Sequence, residues 1–260
     1  MRIAVAQSRR FGTVAEAVRW LLATAQPADL LVLPEYWLGT RALSEADLRA
    51  VVEELSKVAS AIGGYVVGGG IAVDFGGVVK NVCPVVGPGG LEALGEKIFP
   101  SNATGERIRV SGGSRLALFE LGGWTVGCLI CVDLLYPELA RRLALEGADL
   151  IVNPASVTAD RVELWRAVGL ARAFENSLYV AAALGTGYRY ADGRPAEGGS
   201  FIATPNGALV EYGRGEGIYA MELDKREIEH ARSRRRYLED AKAMPTVLVE
   251  RRHLPRVSLI

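Results

Sequence analysis

Two of the chain's three cysteines, Cys128 and Cys131, lie three residues apart in GlyCysLeuIleCysValAsp. That spacing is shared by zinc ligands, by dithiol redox pairs and by a nucleophile that has a structural thiol for a neighbour. A zinc site needs about four Cys or His ligands, usually in clustered pairs. Beyond these two cysteines there are only Cys83, His230 and His253, none at ligand spacing. A redox dithiol needs its first cysteine at a helix N-terminus, where the dipole lowers the thiol pKa. Cys128 instead falls inside the apolar run TrpThrValGlyCysLeuIle and reads as a small buried hydrophobe. Cys131 stands where that run ends and ValAspLeuLeuTyrProGlu turns toward a helix. A strand-to-helix turn exposes a nucleophile, and the N–H that follows it, here that of Val132, points where an oxyanion would form.

A thiol is only slightly ionised at neutral pH and needs a base. Neither histidine lies in a motif that would supply one. Two other apolar runs stop abruptly at a charge: LeuLeuValLeuProGluTyr at Glu35, and GlyGluLysIlePhePro at Lys97. Each taken alone is also what a solvated strand end looks like. Together, a carboxylate base, an ammonium and a thiol are the parts needed to attack a carbonyl or nitrile carbon.

The elements that must position these groups alternate short β-branched runs with amphipathic stretches. Strands are predicted at 3–7, 30–33, 65–73, 78–86, 125–130, 150–152, 179–183, 200–204 and 218–223. Helices are predicted at 14–24, 45–62, 137–146, 162–176 and 225–237, with Ser44 and Asp47 capping the second and Gly63–Gly64 ending it. Several strands are apolar on both faces, which a sheet covered on each side requires. LeuLeuValLeuPro early and LeuIleValAsnPro later give a faint two-fold echo. No stretch is polar or long enough to be a linker, so residues 1–260 read as one α/β domain.

Thirty basic and thirty acidic residues leave a formal charge of zero, so nothing points to nucleic acid. ArgSerArgArgArg at 232–236 reads as a solvated helix face. The N-terminus enters a strand at once, and no apolar run reaches the roughly 18 residues of a membrane span. Three cysteines in a long chain do not make a disulfide framework. A cytoplasmic protein without membrane contact is expected.

The order Glu, Lys, Cys, each at a strand terminus, resembles the nitrilase superfamily, the carbon–nitrogen hydrolases. The resemblance runs from ArgIleAlaValAlaGln at 2–7 to GlyAlaLeuVal at 207–210. It includes LeuProGlu at 33–35, GluLysIle at 96–98, CysValAspLeuLeuTyrProGlu at 131–138 and GlyAlaAspLeuIleValAsnPro at 147–154. Trp165, ArgAlaPheGluAsn at 172–176, GlySer at 199–200 and ProAsnGlyAlaLeuVal at 205–210 complete the set. It implies a four-layer αββα sandwich with two mixed β-sheets. It also implies a triad in which Glu35 is the general base, Lys97 the oxyanion stabiliser and Cys131 the nucleophile. A second site glutamate follows the lysine in many members, and Glu106 is the nearest match.

Three departures bear on specificity. Phe99 and Pro100 follow the lysine where the family often has a His. Val132 and Leu135 stand where Tyr and Arg are common, and AlaLeuGly occupies 183–185 in place of an AsnXaaGly-like stretch. With no arginine in the cysteine loop, a small, mostly uncharged substrate is expected, unless charge comes from elsewhere, as from Arg107.

The implied activity is hydrolysis of a small amide through a cysteine thioester, without metal or organic cofactor. Nitrile or N-carbamoyl hydrolysis by the same triad, and a non-catalytic binding member, are the alternatives. A homodimer or larger homo-oligomer is expected, with about 245–260 in the interface.

Overall fold

The protein is described from a computed structural model covering residues 1–246. The segment expected in an oligomer interface, about 245–260, lies almost wholly outside the described residues. In chain order the elements are β1 (Arg2–Gln7), α1 (Val14–Thr24), β2 (Leu30–Val32), β3 (Leu43–Ser44), α2 (Glu45–Ile62), β4 (Tyr65–Val67), β5 (Ile71–Phe75), β6 (Val78–Gly87) and β7 (Gly90–Glu96). There follow β8 (Leu118–Leu121), β9 (Trp124–Cys128), α3 (Pro137–Leu145), β10 (Leu150–Ala155), α4 (Val162–Asn176), β11 (Tyr179–Leu184), β12 (Thr186–Arg189) and β13 (Pro195–Glu197). The last are β14 (Phe201–Ala203), β15 (Leu209–Glu211), β16 (Gly217–Glu222), α5 (Lys225–Arg234) and α6 (Tyr237–Lys242).

Two mixed sheets stack face to face. The first runs β16-β1-β2-β4-β6-β5-β3, with β7 also paired to β6; the second runs β15-β14-β11-β10-β9-β8. Parallel pairs form the centre of each, β1-β2-β4 in one and β9-β10-β11 in the other. The period-2 alternation of β1 shows why both faces are apolar. Ile3 and Val5 point into the interface between the sheets, while Ala4 and Ala6 join Leu21, Val51 and Leu55 under α1 and α2. On the far side α3 and α4 cover the second sheet, with Leu143, Trp165 and Ala173 buried against it. The layers are therefore αββα, as the sequence led us to expect.

Caps act where the sequence placed them. Ser44 and Asp47 form a reciprocal capping box at the start of α2, and Gly63 takes φ +71° at its end. The expected strand 65–73 is corrected: it is two strands, broken by Gly68–Gly70, with β6 antiparallel to both. The segment before Lys97, where no strand was predicted, is β7, paired along β6. β3, β8, β12, β13 and β15 were not expected, and the helix expected over 225–237 stops at Arg234 before the short α6. No helix among the described residues is long and apolar enough to cross a membrane.

Candidate active site

Glu35, Lys97, Glu106 and Cys131 come from four separate places in the chain and meet in one buried cluster. Glu35 follows β2, Lys97 follows β7, Glu106 begins a single helical turn at 106–108, and Cys131 begins another at 131–135, just past β9. All four are 5% exposed or less, so none is a solvated strand-end charge.

The loop carrying Glu35 is pinned across the break between β4 and β5. Tyr36 N–H donates to Gly70 O at 2.7 Å, and the Trp37 indole donates to Gly68 O at 2.7 Å. This contact explains the glycines. A Cβ on Gly69, which has φ +70°, would fall 2.1 Å from Pro34 O. One on Gly70 would fall 2.8 Å from both Glu35 Cγ and Asn81 Oδ1 and 3.0 Å from Ile130 Cγ2. Gly70→Ala must therefore move the Glu35 side chain or its neighbours. With Glu35 as the base the family resemblance implies, a misplacement on the order of 1 Å is expected to lower kcat/KM about 10²-fold with the fold intact. Steady-state kinetics beside a far-UV spectrum check this, and unchanged kinetics would show that Glu35 tolerates displacement.

Around Lys97 the charges form a closed network. Its Nζ lies 2.7 Å from Glu35 Oε1 and 2.6 Å from Glu106 Oε2. Asn81 Nδ2 donates to both glutamates, at 2.9 and 3.0 Å. Glu106 also accepts from Tyr36 Oη at 2.5 Å and from Ser101 N–H at 2.7 Å. Burial works against the Lys97 charge, but Glu35, Cys131 and Glu106 outweigh it and hold the ammonium well above its ordinary pKa. For Glu106 burial is likewise outweighed, by Lys97, Tyr36 and Ser101, and its carboxyl is held below the usual range. Glu35 goes the other way. Its burial, helped by the Glu106 charge, exceeds the opposing pull of Lys97 and raises it. Two glutamates on one lysine are thus driven apart, one a fixed anion and the other poised to take a proton.

Cys131 has φ +49°, a left-handed conformation rarely held by a residue with a side chain. The strain is over-determined by the surroundings. Asn153 Nδ2, on β10, donates to Leu129 O at 2.7 Å and to Cys131 O at 3.1 Å, and Asn153 is itself held by the Trp165 indole at 2.9 Å. The thiol points to Ser156 O at 3.6 Å. Two residues on, Asp133 accepts from Ile98 N–H at 2.8 Å and Phe99 N–H at 2.9 Å, which clasps the segment after Lys97 to the cysteine turn. Burial raises the Asp133 carboxyl to about 7 against those two bonds. Burial and the Glu35 charge push the Cys131 thiol well up, against Lys97, so in the resting site it is a thiol and not a thiolate.

Cys128 is elsewhere. It faces Cys83 of β6 across the two sheets, with sulfurs 3.2 Å apart, and both are buried. Its thiol is pushed well up, first by that contact and then by burial. This is the core position expected from the sequence.

The cluster opens into a cavity of about 470 Å³, within the range of small-molecule sites. Val132 and Leu135 line it. Arg107 does not: it donates to Pro100 O at 2.8 Å. Other arginines do, namely Arg10, Arg109, Arg161, Arg189 and Arg194. The expectation of a small, mostly uncharged substrate allowed for charge from elsewhere, and these five side chains bring it from four other segments rather than from Arg107.

Comparison with known proteins identifies the family and the fold. The family model described as carbon-nitrogen hydrolase matches residues 1–233. The chain is 33% identical over 214 residues to a 2-oxoglutaramate amidase of Bacillus subtilis, covering 79% of this chain and 82% of that one. It is 31% identical over 207 residues to a nitrilase of Pyrococcus abyssi, covering 72% and 73%. Among solved structures, a CN-hydrolase superfamily protein of Xanthomonas campestris superposes with a TM-score of 0.81 at 22% identity, covering 96% of this chain and 99% of that one. An amidase of Nesterenkonia sp. superposes at 0.77 and 23% identity, covering 90% and 94%. Likeness of this extent, in sequence and in fold, makes the chain a carbon–nitrogen hydrolase of the nitrilase superfamily, an enzyme acting on C–N bonds.

Proposed function

We propose that the chain hydrolyses a small amide to a carboxylic acid and ammonia through a thioester on Cys131. The observation that carries this reading is the buried Lys97 held between Glu35 and Glu106 beside the cysteine, in a cavity of substrate size. Relatives named 2-oxoglutaramate amidase and omega-amidase support an amide over a nitrile.

With the thiol protonated at rest, attack is general-base assisted. Glu35 accepts the Cys131 proton as sulfur bonds to the amide carbon, and the oxyanion forms against the Lys97 ammonium and the Val132 N–H. Glu35 then gives that proton to the leaving amine, the C–N bond breaks, and ammonia departs. A water enters, loses its proton to Glu35, and attacks the thioester, and the proton returns to sulfur as the acid leaves. Glu106 stays ionised throughout. Held by Lys97, Asn81, Tyr36 and Ser101, it fixes the ammonium and takes no proton itself.

Two measurements test the reading. Ammonia release should be seen with short amides, and acid quenching during turnover should trap an acyl adduct on the Cys131 peptide. Ammonia without any adduct would remove the thioester. The pH profile supplies the second. Glu35 must be ionised to act, and burial raises its pKa, so kcat/KM for a neutral amide should rise with pH, with its acid limb above the ordinary 4.5. A limb at or below 4.5 would assign the base elsewhere.

A further inference from the structure

The two glutamates that share Lys97 are bound unequally, oxygen by oxygen. Glu106 is filled on both. Its Oε1 accepts from Tyr36 Oη at 2.5 Å and Asn81 Nδ2 at 3.0 Å, and its Oε2 from Lys97 Nζ at 2.6 Å and Ser101 N–H at 2.7 Å. Glu35 is filled on one. Its Oε1 accepts from Lys97 Nζ at 2.7 Å and Asn81 Nδ2 at 2.9 Å, while its Oε2 accepts from no N–H or O–H of the described residues. A carboxylate oxygen that holds two donors has no lone pair left for a proton, and one that holds none does. The Cys131 thiol, which hydrogen-bonds Glu35, is the donor that remains for Oε2.

Asn81 produces much of this inequality. It is fully buried in β6, and its side-chain nitrogen gives one hydrogen to each glutamate. Its backbone carbonyl accepts the Lys97 N–H at 2.8 Å, so the same residue fixes the chain that carries the ammonium. Turned the other way round, the amide would set Oδ1 against two anions. The orientation it holds has its own cost. Oδ1 is buried without a donor, on the side where Gly70 has no Cβ. An acceptor left unsatisfied in the core persists only where the donor end of the same group is needed.

We propose that Asn81 is a positioning residue for the base: with Lys97 it occupies Glu35 Oε1, fixes the carboxylate plane and leaves Oε2 as the oxygen that takes the Cys131 proton. This rests on the amidase mechanism above and adds to it the residue that decides which glutamate, and which of its oxygens, moves the proton. The proton leaves sulfur for Oε2 as the sulfur–carbon bond forms, and passes from Oε2 to the leaving nitrogen as the C–N bond breaks. Asn81 gains and loses none. Its donor also favours the ionised form of Glu35 against burial, so removing it must raise that carboxyl further. Lys97, Glu106 and Cys131 face Glu35 too, with Tyr36, Asp133, Tyr188 and Tyr190 around them, and the test retains them all.

Asn81→Leu keeps the volume and removes the donor. With a neutral short amide, the acid limb of kcat/KM should move up by about one to two pH units, the worth of a hydrogen bond to a charged group. KM should change little. A packing role alone would lower activity at every pH and leave the limb where it is. Asn81→Ala, which only leaves space, should move the limb the same way and serves if leucine proves too bulky to fold. Alkylation of Cys131 by iodoacetamide, read on its peptide by mass, sends the thiol proton to the same oxygen as iodide leaves, with no hydrolysis involved. Its pH profile should shift in step with the limb. No ammonia from any amide, with the alkylation profile still shifted, would retire the amidase mechanism and leave Asn81 as the residue that positions the base. A limb and an alkylation profile that both stay put in a folded variant would overturn the proposal and leave the triad standing.

Discussion

Cys131→Ala is expected to lower kcat/KM for every amide substrate by about 10⁵-fold or more, because no other group in the cavity can carry the acyl chain. The substitution removes only a sulfur held by a long contact to Ser156 O at 3.6 Å and by its hydrogen bond with Glu35, so the fold should survive it. Stability should change little, while the strained φ of +49° persists because Asn153 and Asp133 impose it. The control is Cys128→Ala. Its sulfur packs against Cys83 between the sheets, and truncating it leaves a small void that costs on the order of 1–2 kcal/mol. Activity in that variant should be retained. The pair separates chemistry from packing: kinetics with thermal melts should show one variant dead and stable, the other active and less stable. The opposite pattern would exchange the roles of the two cysteines, and amidase activity in Cys131→Ala would remove the thioester altogether.

The three residues proposed as the triad stood out because each ends an apolar run and because their order resembles the family's, although Glu35 or Lys97 alone also reads as a solvated strand end. Glu106 was placed only through the family likeness and its distance from Lys97. Nothing local marks it, since its burial depends on a helical turn folding back over the site. Asn81 was missed although a signal existed: an amide in the middle of the apolar strand ValValLysAsnValCysProValVal must find partners, and it bridges both glutamates. β7 was unreadable because GlyLeuGluAlaLeuGlyGlu alternates weakly, and pairing with the long β6, not intrinsic preference, makes it a strand. β8 does carry a local signal. LeuPheGluLeu, then Gly122–Gly123, then TrpThrVal is a hairpin pattern. The arginines of the cavity could not be seen at all. Arg10, Arg109, Arg161 and Arg189 lie in four segments that only the assembled sheets bring to one wall, so the sign of the pocket's charge is a tertiary property.

Replacing Lys97 with methionine should have the largest combined effect, and its cost in stability should shrink as pH falls. In wild type the ammonium offsets the burial of two carboxylates at 2.7 and 2.6 Å. The thioether side chain would fill much the same space with no charge, leaving those carboxylates to the remaining donors. Glu106 keeps Tyr36, Ser101 and Asn81, whereas Glu35 keeps Asn81 and the Cys131 thiol. Breaking a buried ion pair by removing one partner costs about 3–5 kcal/mol, since an uncompensated charge stays behind. The sign follows from the folded-state pKa values. Glu106 in wild type is held below its ordinary value, so its contribution is present above about pH 4.5 and is lost as pH falls. Without Lys97, burial prevails at Glu35 above all, and a carboxyl raised in the folded state contributes stability below its unfolded pKa that is lost as pH rises. Lys97→Met should therefore melt about 10 °C lower than wild type near pH 8 and regain much of the difference near pH 5. Activity should fall by at least the 10²–10³-fold that one oxyanion donor supplies, at every pH where the variant is folded. Thermal melts across pH 5–8 with kinetics below the melting point decide this. A variant as stable as wild type at pH 8 would mean that Glu35 and Glu106 are not both ionised in the folded protein, and the assignment of one glutamate as base and the other as fixed anion would have to be abandoned.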